Sequence, residues 1–130
     1  MALIESFRQL DVYRMAVREA KRIFVLSQRF PKEERYSLTD QIRRSSRAVG
    51  GMIAEGWGRR RYPAAFIHKM IEGIGEAMET QSWLDHAFTS GYITREEYKS
   101  HDEPWAQIGG KLQRMIQKHE GFCGSSATDR

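Results

Sequence analysis

The sequence predicts an all-α fold, an antiparallel four-helix bundle, and three observations carry that prediction. Apolar residues recur at spacings of three and four through four separate stretches, the period of a helix with one buried face. Proline and glycine punctuate the intervals between them, at Phe30-Pro31, at Gly56 and Gly58 before Pro63, and at Gly91. No stretch alternates apolar and polar residues as a half-buried strand does. Short connections between helices favour antiparallel neighbours in up-and-down order.

The first helix follows Leu10, Tyr13, Val17, Ala20, Phe24 and Ser27, with Arg14, Arg18, Lys21, Arg22 and Arg29 facing elsewhere. Phe30-Pro31 ends it, because a residue before proline disfavours the helical region. The second helix starts near Ser37, where Ser37 and Asp40 resemble a capping box. Its stripe is Leu38, Ile42, Ser45, Val49 and Ile53, joined by Met52, and Gly56 and Gly58 supply the stop.

Pro63 suits the first position of a third helix. Its stripe is Phe66, Met70, Ile74, Ala77, Gln81, Leu84 and Phe88; Ile67, Ile71 and Met78 widen it, which predicts burial on more than one side. Gly73 and Gly75 each cost about 1 kcal/mol against alanine, so close approach of another helix is the expected reason for both. Thr94 and Glu97 form a capping box for the fourth helix, carried by Tyr98, His101, Trp105, Ile108, Leu112 and Met115. Pro104 is expected to kink or break it near Asp102. Residues 1–120 form the bundle domain, and 121–130, ending GFCGSSATDR, read as a flexible tail.

At 130 residues the chain is long enough for one hydrophobic core and too short for two. No apolar run approaches the roughly 18 residues of a membrane span, and the N-terminus has no signal-peptide pattern. Cys123 is the only cysteine, so no intrachain disulfide forms and a reducing cytoplasm is the expected location. The net charge of +4 is unevenly spread. Residues 1–40 hold eight Lys/Arg against six Asp/Glu, residues 41–71 seven against one, and residues 72–130 six against ten. Basic charge concentrated in one third of the chain suits an anionic partner.

Two pieces of that basic third, Gln-Ile-Arg-Arg at 41–44 and Ile-Ala-Glu-Gly-x-Gly-Arg at 53–59, resemble one family closely. So do FRQLDVY, FPKEERYSL and FIHKMIEGIGEAMETQSWLDHAFTSGYIT, and together they cover about residues 7–116. It is the four-helix-bundle family of open reading frames in intervening sequences of bacterial large-subunit ribosomal RNA genes. The resemblance implies a helical bundle assembling into a homopentameric ring. It also implies kinship with the accessory protein of diversity-generating retroelements, a basic ring that binds a reverse transcriptase and nucleic acid. The chain departs from the family pattern at Gly50, where relatives usually carry Pro, at Met52, where they carry Asn, and at Arg47, where they carry a small or apolar residue.

With Ile42 at 0° and about 100° per residue, Arg43 and Arg47 fall on one flank of the second helix. Gln41, Arg44, Ala48, Gly51 and Glu55 fall on its back. Arg44 and Glu55 lie about 16 Å apart along the axis, too far to meet within the helix. Small residues between them would let another helix lie close. With the family's ring in mind, Gln41, Arg44, Gly51 and Glu55 are therefore expected at a subunit contact, Arg44 meeting Glu55 or another acid of a neighbour.

Arg59, Arg60 and Arg61 sit in the next turn beside Trp57 and Tyr62, a candidate surface for phosphates and base stacking, with Arg43 and Arg47 as additional nucleic-acid contacts. The expected partners are further copies of the chain and nucleic acid, RNA favoured. The alternative is a protein-interaction scaffold, such as an accessory factor for a reverse transcriptase.

Enzymatic signatures are not found. GWGRRR lacks the spacing of a phosphate-cradling loop. The histidines have no His-x-x-x-His or Glu-x-x-His spacing, so no metal and no cofactor are expected. Glu72, Glu76 and Glu79 share a helix face and read as a solvated or intersubunit surface.

Overall fold

The computed structural model describes residues 3–123. Four long helices follow one another: α1 (Asp11–Ser27), α2 (Leu38–Gly58), α3 (Pro63–Thr89) and α4 (Arg95–Gln117), with a short α5 (His119–Cys123). Among the described residues there is no strand, and no helix is long and apolar enough to cross a membrane.

Contacts between the helices run in opposite sequence directions. Between α2 and α3, Arg44 pairs with Glu76 and Glu79 while Glu55 pairs with Lys69. Between α1 and α4, Asp11 meets Lys111, Arg22 meets Ser100 and Arg29 meets Glu97. The interior is one continuous cluster in which Ile23, Ile42, Ile53, Phe66, Leu84, Trp105 and Leu112 are fully buried. Each such side chain contributes about 1.5–3 kcal/mol relative to exposure.

The helix ends follow local chemistry. Pro63 opens α3 at its first turn. A Schellman motif closes it: Gly91 takes φ +80°, its N–H donates to Phe88 O at 3.0 Å, and Tyr92 N–H donates to Ala87 O at 2.9 Å. Thr94 and Glu97 make the expected reciprocal capping box on α4, at 3.1 and 2.9 Å. Ser37, expected to cap α2, makes no capping bond. Its hydroxyl instead donates to Glu34 Oε1 at 2.6 Å, and the same carboxylate accepts from Leu38 N–H at 3.3 Å. A full charge at a helix start outcompetes a hydroxyl for that role.

Three expectations are corrected. The buried stripe of α1 is Val12, Met15, Glu19, Ile23 and Leu26 with Ala16 and Ala20, whereas Val17 is half exposed and Tyr13 and Phe24 are only partly covered. Glu19, 4% exposed, lies in the core-facing track, which displaces an apolar reading to the neighbouring one. Arg22 at 2.6 Å compensates its charge. Second, α4 runs unbroken through Pro104. The Ser100 carbonyl, left without its helical donor, accepts from Arg22 Nη1 at 3.2 Å instead. Third, residues 121–123, expected in the tail, belong to α5, where Cys123 is buried and Phe122 stacks on Phe66. Burial pushes the Cys123 thiol up, which disfavours the reactive thiolate. Residues 124–130 of the expected tail lie outside the described residues.

Candidate functional site

The α2 arginines divide into two groups according to what α3 places opposite them. Arg44 lies against α3, where it reaches Glu76 at 3.3 Å and contacts Glu79 more closely still. It also donates to Gln41 Oε1 at 3.3 Å. The Glu79 bond raises the Arg44 value further. Burial works against ionising Glu79, but bonds from Trp83 and Arg44 outweigh it and hold the carboxyl low. At the other end of the same face, Lys69 joins Glu55 at 2.8 Å and Glu72 at 3.0 Å, which lowers Glu55 and raises Lys69.

Gln41, Arg44 and Glu55, expected at a subunit contact, thus find neighbours inside the chain. The helix that lies close to this face is α3. Arg44 and Glu55 keep about half their side-chain surface exposed on this face, and a wheel of one helix cannot say which helix lies beside it. Gly51 behaves differently: it is exposed, and a Cβ built there meets nothing within 4 Å. Of the two α3 glycines, Gly73 has its expected reason, since a Cβ would lie 3.1 Å from Leu112 Cδ1 and 3.6 Å from Met52 Cβ. Gly75 faces open space. Gly56, read as part of a helix stop, is in fact a packing residue, because a Cβ would collide with the Met70 side chain.

Arg43, Arg47, Arg59, Arg60 and Arg61 form no ion pair among the described residues, unlike Arg22, Arg29, Arg44, Lys69 and Lys111. Arg43 Nε donates to Ser27 Oγ at 2.8 Å, and its guanidinium lies 4.6 Å from the Phe24 ring centre. Arg47 at 5.4 Å and Lys21 at 5.5 Å approach the same ring. Three cations around one aromatic ring is a constellation the sequence did not reveal. Its only signal was Lys21 three residues before Phe24, on a helix whose partner was not yet known.

In the α2–α3 turn, Arg59 and Arg61 are exposed, as is Tyr62 at 65%. Arg60 is half-buried: its guanidinium stacks 3.9 Å over Trp57 and donates to Trp57 O at 2.8 Å, tying off the end of α2. Trp57 itself is only 8% exposed. The expected base-stacking role of Trp57 is therefore corrected: its ring closes the bundle end under Arg60, and Tyr62 is the open aromatic of this turn. The arginine triplet acts as two free cations flanking one structural one.

Among the described residues no group of three His, Cys, Asp or Glu could hold a metal ion. His101 is buried against α1, with its Nδ1 lacking a hydrogen-bond partner. His86 packs on Trp83, with ring centres 5.6 Å apart.

Comparison with known proteins agrees with this architecture. The family model of the 23S rRNA-intervening sequence protein matches residues 8–114. A solved structure from Bacteroides thetaiotaomicron, described as a protein of unknown function from the S23 ribosomal protein family, is 30% identical. It superposes with a TM-score of 0.73 over 82% of this chain and 95% of its own. No curated protein matches the chain. With the family model spanning most of its length, the chain belongs to the 23S rRNA-intervening sequence protein family.

Proposed function

We propose that this up-and-down antiparallel bundle is a non-enzymatic nucleic-acid-binding protein that assembles into a ring of five and binds structured RNA through its unpaired arginines. The observation that carries the reading is the division among cations. Arg47, Arg59 and Arg61 are exposed and form no ion pair, whereas Arg44, on the same helix as Arg47, is held by Glu76 and Glu79. Cations without internal partners keep their counterions, and release of those counterions drives phosphate binding. The family's association with 23S rRNA intervening sequences favours RNA as the ligand. Ring assembly would repeat Arg59 and Arg61 around an axis, so that weak contacts reinforce one another.

The test is a salt titration of a labelled RNA hairpin against the wild-type protein and the Arg59→Ala/Arg61→Ala variant. The expected result is lower affinity and a flatter dependence on salt for the variant, whose two missing phosphate contacts reduce the log–log slope by roughly 2. Equal affinity and equal slope would overturn the reading. A folded variant that retains RNA but loses a protein partner would favour a scaffold instead.

A further inference from the structure

Lys21, Arg43 and Arg47 gather around the Phe24 ring, with their charged ends 5.5, 4.6 and 5.4 Å from its centre. Arg43 and Arg47 stand four residues apart on α2, a spacing at which like charges repel. Among the described residues no carboxylate answers them. None of the three forms an ion pair, and no Asp or Glu lines the groove beside them. Arg43 directs its Nε to Ser27 Oγ at 2.8 Å, whereas Lys21 and Arg47 make no side-chain hydrogen bond. An anion seated between those two would relieve the repulsion.

The groove has a volume of about 460 Å³ and runs between α1 and α2, with Lys21, Phe24 and Arg47 toward one end. Toward the other end it is lined by Tyr13, Val17 and Gly51. The Tyr13 ring is fixed by the edge-on packing of Phe7, with centres 4.9 Å apart and planes at 84°. Val17 is 49% exposed, and nothing lies within 4 Å of a Cβ at Gly51, so this end is open. Val17 precedes Lys21 by four residues on α1, and Arg47 precedes Gly51 by four on α2. On both helices the cation therefore lies about 6 Å along the axis from the apolar lining.

An apolar, aromatic end and a cationic end one helical turn apart match the two ends of a nucleotide, a flat base and the phosphate across its sugar. We infer that the groove takes one unpaired nucleotide of an RNA loop, its base against Tyr13 and Val17 and its phosphate between Lys21 and Arg47. A base inside a duplex has both faces covered by its neighbours, so only an unstacked one can enter. A carboxylate side chain of a protein would satisfy the cations and leave the aromatic end unfilled. The inference rests on the nucleic-acid part of the proposed function and adds what the RNA must present.

The experiment compares two labelled RNAs by fluorescence anisotropy, a hairpin with an unpaired loop and a blunt duplex with the same number of phosphates. Gly51→Leu fills the groove without changing its charge, and leucine favours a helix more than glycine does. Wild type is expected to hold the hairpin roughly tenfold tighter than the duplex, the order expected for one base stacked on an aromatic ring. Gly51→Leu should bind both at the affinity of the duplex. Arg59→Ala/Arg61→Ala should weaken both alike and keep the ratio. Gly109→Leu, in open space on α4, should match wild type.

A loop preference that survives Gly51→Leu would overturn the inference while leaving RNA binding standing, as would equal binding of both RNAs by wild type. If wild type binds neither RNA, the nucleic-acid reading fails and this inference with it. A lower mass of Gly51→Leu than of wild type in light scattering would give the groove to a second copy of the chain. A polyglutamate chain that binds wild type as tightly as the hairpin, and Gly51→Leu no longer, would give it to an acidic protein segment. Either result would overturn the nucleotide site. Circular dichroism checks folding; if Gly51→Leu does not fold, Val17→Glu, which sets a carboxylate in the same groove, serves in its place.

Discussion

Arg22 donates to the Ser100 carbonyl at 3.2 Å and to the Ser100 hydroxyl at 2.6 Å, filling from α1 the place that Pro104 leaves empty in α4. The same guanidinium holds the buried carboxylate of Glu19 at 2.6 Å. One residue thus resolves two local problems, a proline inside a helix and a charge inside a core.

Arg22→Leu would leave Glu19 buried without its closest cation and Ser100 without a donor. Arg18, 3.5 Å from Glu19, remains, so urea unfolding should show a loss of about 1–3 kcal/mol, the range for a buried polar group that loses a hydrogen bond. Pro104→Ala restores the helical N–H. In that background the loss from Arg22→Leu should shrink by about 1 kcal/mol, because the carbonyl no longer depends on Arg22. Strict additivity of the two substitutions would show that Arg22 serves Glu19 alone.

Arg44→Glu would place a third carboxylate beside Glu76 and Glu79. The site is partly exposed, so the expected destabilisation is modest, about 1–2 kcal/mol in urea. Arg47→Glu lacks such neighbours and should stay within about 0.5 kcal/mol. Equal effects would mean that the contacts with α3 carry no energy.

Gly56→Ala meets the Met70 side chain and approaches Lys69 Cβ to 3.1 Å. Overpacking of that kind costs about 1–3 kcal/mol. Gly109→Ala meets nothing within 4 Å and should stabilise α4 by about 0.5–1 kcal/mol. Thermal unfolding of the two variants should shift in opposite directions.

Stability should fall on acidification in two stages. Burial, then the nearby Arg22, holds His101 below its ordinary value of 6.5; Glu19 and Glu97 pull the other way, and Arg29 adds to the lowering. The unfolded chain therefore takes up this proton first. Stability is full above pH 6.5 and declines as pH drops toward the folded value, by roughly 1.4 kcal/mol for each unit of depression. Glu97 is held low by Arg29 and the Thr94 N–H, so its contribution is present above 4.5 and is lost below it. His101→Gln should abolish the first stage and keep the second. An unchanged profile between pH 7 and 5 would show that His101 is not its source.

Arg60→Ala removes both the stacking on Trp57 and the bond to Trp57 O. Tryptophan emission should shift to the red as that ring gains water, while Arg59→Ala leaves it in place. The same spectrum for both variants would contradict a structural role confined to Arg60.

Much of this protein was legible in its sequence. The α2 track Leu38, Ile42, Ser45, Val49 and Ile53 is buried as its period predicts, because a helix surrounded by others must turn its apolar side inward. The caps at Thr94 and Gly91 were equally readable, since both depend on residues within a few positions of each other. The concentration of arginines in residues 41–61 also needed no structure to be seen.

What only the tertiary structure decided is the pairing across helices. Sequence places Arg44 and Glu55 on one face, yet only the seating of α3 gives them Glu76, Glu79 and Lys69 as partners. Sequence sees Trp57 beside three arginines, yet only the packed bundle end shows Arg60 covering it. Glu19 hides the true core track of α1: Arg18 and Arg22 nearby pair with its carboxylate, but what holds Arg22 in place is Ser100 of α4, 78 positions farther along the chain than Arg22. Periodicity and capping are set by local geometry and survive in one dimension. The charge state of a surface depends on which distant carboxylates arrive beside it, and that is settled only when the helices pack.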